Sequence, residues 1–138
     1  MMETTIEYLG GTKFAASSRR HTILCDQPAD NGGADEGMTP PEFLLASLGT
    51  CAGFYAAQYL RVRNLPTEGL RVRVTAEKAT QPARLGSFRI EVEAPGAADD
   101  EHHREGVLRA VKLCLVHNTL THAPSIDIVL NQPVAVLA

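Results

Sequence analysis

Several features that would commit a chain to a common class are scarce or missing here. Cysteine is scarce: three residues in 138, an odd number, do not make a fully paired disulfide framework, and they leave catalysis, metal binding or plain burial as explanations. Excess positive charge is missing, because 13 Lys and Arg lie scattered among 16 Asp and Glu for a net charge of -3. That balance offers no basic field to a polyanion, so nucleic acid is not an expected partner. No run of eighteen apolar residues occurs, and the opening Met1-Met2-Glu3-Thr4-Thr5-Ile6-Glu7 lacks the basic segment and apolar core of a secretory leader. No membrane partner is expected, and the cytoplasm is the default location. There is also no internal repeat or low-complexity tract. What is present is 44% apolar residues in 138, enough for one core and too short for two ordinary domains, so residues 1–138 read as a single domain.

The pattern of elements follows from periodicity and punctuation. Polar and apolar residues alternate from Thr4 to Tyr8, and after Gly10-Gly11 the run Thr12 to Ala16 returns as the second strand of a hairpin. His21 to Cys25 suits a third strand, and the segment Asp26 to Gly37, with Pro28, Gly32, Gly33 and Gly37, reads as a loop. Thr39-Pro40-Pro41-Glu42 then has the form of a helix start: Thr39 as N-cap, Pro40 at the first helical position, and Glu42 closing a capping box. From Phe43 to about Arg63 the helix is apolar on nearly every side, which predicts burial all round. Leu70 to Glu77 and Phe88 to Glu93 alternate as half-buried strands, joined through Thr80 to Gly86. Asp99-Asp100-Glu101 opens a second helix with Val107, Leu108, Val111, Cys114 and Leu115 on one face, which places Cys114 on its buried stripe. Ile126, Ile128 and Leu130 suggest a last strand before Pro133 and a short apolar tail. Strands, helix, strands, helix, strand is an α+β order, with antiparallel sheets wrapped on two buried helices.

Chemistry is carried by few residues. Cys51 lies between Gly49 and Gly53 in a helix interior, where each glycine costs about 1 kcal/mol relative to alanine. Close packing of another helix, or access of a substrate to the sulfur, would compensate. On residue type alone a buried helical cysteine is more often inert than reactive. Glu42, nine positions before Cys51, falls on the opposite side of a straight helix and needs no role beyond its cap. Arg19 and Arg20 could bring a guanidinium to a thiolate, although paired arginines in a short loop are usually just solvated. Cys114-Leu115-Val116-His117 sets a thiol and an imidazole three residues apart, as neighbours on a helix. It reads as a resolving thiol with a nearby base, as half of a metal site, or as a core cysteine beside a surface histidine. Cys25, His21, His102, His103 and His122 supply no second pair at zinc-site spacing, and Cys25 is treated as structural.

With Gly32-Gly33, the stretch Thr39-Pro40-Pro41-Glu42-Phe43-Leu44-Leu45-Ala46-Ser47-Leu48-Gly49-Thr50-Cys51, and Cys114-Leu115-Val116-His117-Asn118-Thr119-Leu120, the chain resembles the OsmC/Ohr superfamily of organic hydroperoxide reductases, in its OsmC-like branch. The resemblance implies an intertwined homodimer with the cysteine helices at its centre. It implies a peroxidatic Cys51, a resolving Cys114 and a Glu42 that partners an activating arginine. Its chemistry is attack of the Cys51 thiolate on an organic hydroperoxide, a Cys51 sulfenic acid, and a Cys51–Cys114 disulfide reset by an external dithiol of the lipoyl type. No metal or bound cofactor is implied. Two departures stand out. The loop Asn31 to Met38 has no arginine, so the cation is Arg19, Arg20 or a group from elsewhere, with Arg20 the expected one, and Leu115 follows the second cysteine where a proline is common. Two other readings remain: a non-catalytic dimer that binds a small apolar ligand, with both cysteines structural, and acyl transfer by Cys51 and His117, for which no oxyanion motif is present.

Overall fold

A computed structural model describes residues 1–131. Strands β1 (Thr5–Gly10), β2 (Lys13–Ser18) and β3 (His21–Cys25) form an antiparallel meander in the order β1-β2-β3. Gly10 and Gly11, at φ of 100° and 56°, make the first turn in a backbone region that residues with a Cβ seldom adopt. The register sets Ile6 opposite Ala16, Ala16 opposite Ile23 and Tyr8 opposite Phe14, so one face of this sheet is apolar. The helices of the same chain leave that face largely open, and Ile6, Tyr8, Phe14 and Ile23 stay exposed.

Asp26 organises the loop that follows β3. Its carboxylate is fully buried and accepts from the Thr12 hydroxyl at 2.5 Å, and from the N–H groups of Gln27, Ala34 and Glu36 at 2.7, 3.2 and 3.0 Å. The Thr12 hydroxyl, then the Glu36 N–H, offset the effect of burial and, with the Gln27 and Ala34 N–H groups, hold the Asp26 pKa down at about 2. An ionised carboxylate with four donors replaces the water and the secondary structure that the loop backbone lacks.

Helix α1 (Pro40–Val62) begins as its sequence dictates, with Thr39 as N-cap, proline at the first positions and a reciprocal capping box to Glu42. At about 1.5 Å per residue it is about 35 Å long. It is long and apolar enough to cross a membrane, with a mean hydropathy of 1.2 over eighteen residues, a test that the core helix of a folded domain also passes. Burial all round is not what the chain achieves. A single stripe is buried, Leu48, Ala52, Ala56, Tyr59 and Leu60, while Phe54 on the other side remains 56% exposed. Among the described residues no second layer covers the remaining face.

Strands β4 (Arg71–Ala79) and β5 (Arg84–Glu93) pair as an antiparallel hairpin longer than alternation suggested, because Arg84 to Gly86 join the ladder rather than the turn. Val72 faces Val92 and Val74 faces Ile90 across it, and this apolar side packs on α1. Burial of a leucine such as Leu60 in that layer contributes about 1.5–3 kcal/mol. Helix α2 (Glu101–Val111) is capped by Asp100, which accepts from the His102 N–H at 2.8 Å. It meets α1 where the Tyr59 hydroxyl lies 3.1 Å from His103 Nδ1, with the Arg63 guanidinium 3.7 Å from the centre of the Tyr59 ring.

The expected second helix is two. It stops at Val111, and a turn leads to α3 (Leu115–Thr121), so Cys114 is the N-cap of α3 and not a position within a helix. Val107, Val111 and Cys114 are buried as expected, whereas Leu108 and Leu115 are 56% and 63% exposed. Ile126, Ile128 and Leu130 form no strand and are exposed, so alternation in this segment is not matched by pairing among the described residues. The expected tail from Pro133 lies outside the described residues. The architecture is α+β, with antiparallel sheets and a helical layer whose centre is α1.

Candidate active site

The glycines that flank Cys51 pack against a strand, not a helix. A Cβ on Gly49 would lie 3.0 Å from Val74 Cγ2, and one on Gly53 would lie 3.6 Å from Val72 Cγ2. Each is two residues from Cys51, about 160° round the helix, so they face β4 while Cys51 faces the other way. They provide close approach of α1 to the hairpin and do not clear a path to the sulfur.

On its own side Cys51 meets the start of α3. Cys51 is half-buried, Cys114 is fully buried, and both are free thiols. The two thiols are close enough to act on each other, and the backbone N–H groups of Val116 and Leu115 also act on Cys51. Cys114 Sγ in turn accepts from the His117 N–H at 3.4 Å, which closes the N-cap. Two residues 63 apart in the chain are thus neighbours, because the α2–α3 turn drops Cys114 against the middle of α1.

This arrangement separates the two thiols electrostatically. Burial pushes Cys51 up, but the bond from Cys114 and the two backbone N–H groups outweigh it, and its pKa falls below the ordinary thiol value. At Cys114 burial comes first, and the hydrogen bond it gives to Cys51, together with the negative charge there, add to it against the His117 N–H. Its pKa rises. Of the two sulfurs, Cys51 is the readier to ionise.

The remaining expected residues stand apart from this pair. Glu42 Oε1 accepts from the Thr39 N–H at 3.0 Å and the Thr39 hydroxyl at 2.8 Å, which hold its carboxyl below the usual range. It is exposed and forms no ion pair with an arginine among the described residues, so the capping role is what its geometry supplies. Arg20 is exposed in the β2–β3 turn of its own chain, and no guanidinium is among the groups that shift Cys51. Cys25 is buried at the end of β3, where it bridges to Met38. The His117 imidazole is directed to Asn118 Oδ1, 3.3 Å from Nδ1, and it is the backbone of His117, not its ring, that reaches Cys114. The Leu115 and Val116 N–H groups escaped sequence reasoning because the cap that exposes them is a cysteine. Sulfur is outside the Ser, Thr, Asp and Asn set by which helix starts are recognised.

Beside the thiols, α1, β5 and α3 enclose a groove of about 480 Å³ lined by Leu48, Leu85, Phe88, Ile90, His117 and Leu120 among others. Leu48 is one turn before Cys51 and His117 is in the first turn after Cys114, so the groove adjoins both cysteine-bearing segments.

Comparison with known proteins agrees with this architecture. The sequence profile described as OsmC-like protein matches residues 32–129, which include Cys51 and Cys114. No curated protein matches the chain. Among solved structures, the OsmC-like protein of Mycoplasma pneumoniae is 22% identical, with 89% of each chain covered and a TM-score of 0.73. An organic hydroperoxide resistance protein OsmC from Legionella pneumophila is 13% identical over 88% of this chain and 90% of its own, with a TM-score of 0.62. An organic hydroperoxide resistance protein from Elizabethkingia anophelis is 16% identical, with 89% of each chain covered and a TM-score of 0.57. At these identities the likeness concerns the fold, and the profile match over most of the chain settles its kinship: the protein belongs to the OsmC-like family.

Proposed function

We propose that the protein is a thiol peroxidase for organic hydroperoxides, working in the cytoplasm as a homodimer. The Cys51 thiolate attacks the distal peroxide oxygen, the O–O bond breaks, and the organic fragment leaves as an alcohol once protonated. Cys51 becomes a sulfenic acid; the Cys114 thiol then displaces water from it and a Cys51–Cys114 disulfide forms. An external dithiol, of which a lipoyl group is one chemical type, returns both thiols. No cofactor takes part. The observation that carries the reading is the placement of Cys114, the N-cap of α3, against α1 beside Cys51, with the two thiols shifted in opposite directions. The sulfur with the lowered pKa is the one suited to attack, and its neighbour the one suited to resolve.

The likeness in fold to proteins named for organic hydroperoxide resistance supports the substrate class. Support for the homodimer comes from the apolar face of the first sheet, with Ile6, Tyr8, Phe14 and Ile23 exposed, together with Phe54 on α1. A contiguous apolar face of this kind is usually an interface. Arg20 and Glu42 are retained as an activating pair only in such an assembly, where a second copy presents its β2–β3 turn to the site. Within one chain the donors at Cys51 are Cys114, Val116 and Leu115.

The test is stoichiometric. Reduced protein treated with a small excess of cumene hydroperoxide is expected to lose two thiols per chain and to yield a Cys51–Cys114 disulfide on peptide mapping, and Cys51→Ser to consume no peroxide. A thiol count unchanged under excess peroxide refutes the proposal and leaves a ligand-binding dimer with structural cysteines.

A further inference from the structure

The proposed peroxidase reaction leaves one proton unaccounted for, and the groove beside the thiols contains one side chain able to supply it. Thiolate attack on a hydroperoxide ROOH gives Cys51 sulfenic acid and an alkoxide RO⁻, a poor leaving group that needs a proton as the O–O bond breaks. Cys114 is the weaker acid for it, because burial and the neighbouring Cys51 raise its pKa. The groove lining is otherwise apolar around Leu48, Leu85, Phe88, Ile90 and Leu120, with the hydroxyls of Ser87 and Thr121 as its other polar side chains. Hydroxyls of that kind hold their protons far too tightly to serve as acids near neutrality. Imidazole is the side-chain type that most often serves as a general acid, and His117 supplies the one imidazole in this lining.

We propose that His117 is the general acid of this site: the organic part of the hydroperoxide lies along the α1–β5–α3 groove, and the His117 imidazolium protonates the departing oxygen. Three placements argue for it. The groove is bordered by Leu48, one turn before Cys51, and by His117, one turn after Cys114, so its walls belong to the two segments that carry the thiols. The His117 backbone is tied to Cys114 Sγ at 3.4 Å, which fixes the start of α3 relative to the pair. Nδ1 is taken by Asn118 Oδ1 at 3.3 Å, and among the described residues no protein group claims Nε2, which is left for the substrate. In sum, Cys51–S⁻, ROOH and imidazolium give Cys51–SOH, ROH and neutral imidazole. The sulfur is oxidised by two electrons, the peroxide is reduced, and the imidazole recovers its proton from water.

The inference rests on the peroxidase reading, and a leaving-group comparison separates the two. Cumene hydroperoxide releases an alkoxide that needs protonation, whereas 3-chloroperbenzoic acid releases a stable carboxylate that does not. Single-turnover loss of the Cys51 thiol is measured with both oxidants in the wild-type protein and in His117→Gln, which keeps a polar side chain of similar reach without a transferable proton. The expected result is a fall in rate on the order of 10²-fold with cumene hydroperoxide and a much smaller fall with the peracid. Equal slowing with both oxidants means that His117 only shapes the site, and no slowing with either removes it from the chemistry; each overturns the inference while the peroxidase reading stands. A wild-type protein inert to both oxidants overturns the two together.

Discussion

Replacement of the two glycines beside Cys51 by alanine provides a sharp check on how α1 meets the sheet. In a helix interior each change gains about 1 kcal/mol from lost freedom of the unfolded chain and better helix propensity. At Gly53 the new methyl would lie 3.6 Å from Val72 Cγ2, ordinary contact, so that gain is kept. At Gly49 it would lie 3.0 Å from Val74 Cγ2. Val74 is β-branched, stiff at χ1, and held in the ladder opposite Ile90, so it yields only with strain of about 1–3 kcal/mol. The expected order of stability is Gly53→Ala, then wild type, then Gly49→Ala, with about 1–3 kcal/mol between the variants. In thermal melts, 1 kcal/mol corresponds to about 4 °C for a domain of this size. Shortening Val74 to alanine should return the helix gain to Gly49→Ala, a coupling that a double-mutant cycle measures. Alkylation of Cys51 by iodoacetamide should change little in any of these proteins, since the glycines face away from the sulfur. Equal stabilisation by both alanines, or a large change in Cys51 reactivity, would refute this account of the packing.

Two further outcomes follow from the charges. Loss of the Cys114 S–H in Cys114→Ala should raise the Cys51 pKa, read from thiolate absorbance near 240 nm against pH; an unchanged or lower value means that the sulfur pair is not what ionises Cys51. Asp26 has its folded pKa lowered from 3.8 to about 2, so its contribution to stability is complete above about pH 4 and is lost as pH falls toward 2. Urea midpoints between pH 2 and 5 should therefore fall less steeply for Asp26→Asn than for wild type, although the variant is less stable at neutral pH; parallel curves would contradict the buried carboxylate.

Local chemistry was legible where one residue answers to its chain neighbours. Thr39, Pro40 and Glu42 wrote the start of α1, Asp100 wrote the start of α2, and Gly10-Gly11 wrote the first hairpin turn, because caps and turns are satisfied within a few residues. Alternation marked β4 and β5 because one face of a hairpin is buried and the other is wet. The family resemblance singled out Cys51 and Cys114, whereas the residues alone favoured an inert Cys51 and left three readings of Cys114 open.

What only tertiary structure decided is where distant groups meet. Nothing near Cys114 in sequence announces that α2 ends at Val111 or that a sulfur caps α3, and that break is what aims the Leu115 and Val116 N–H groups at Cys51. The purpose of Gly49 and Gly53 depended on Val72 and Val74, some twenty residues on, and the role of Asp26 on donors from Thr12 to Glu36. Periodicity reports which way a side chain points relative to its own element. A pKa, a close contact or a shared proton depends on what arrives from another element, over distances that no local pattern encodes.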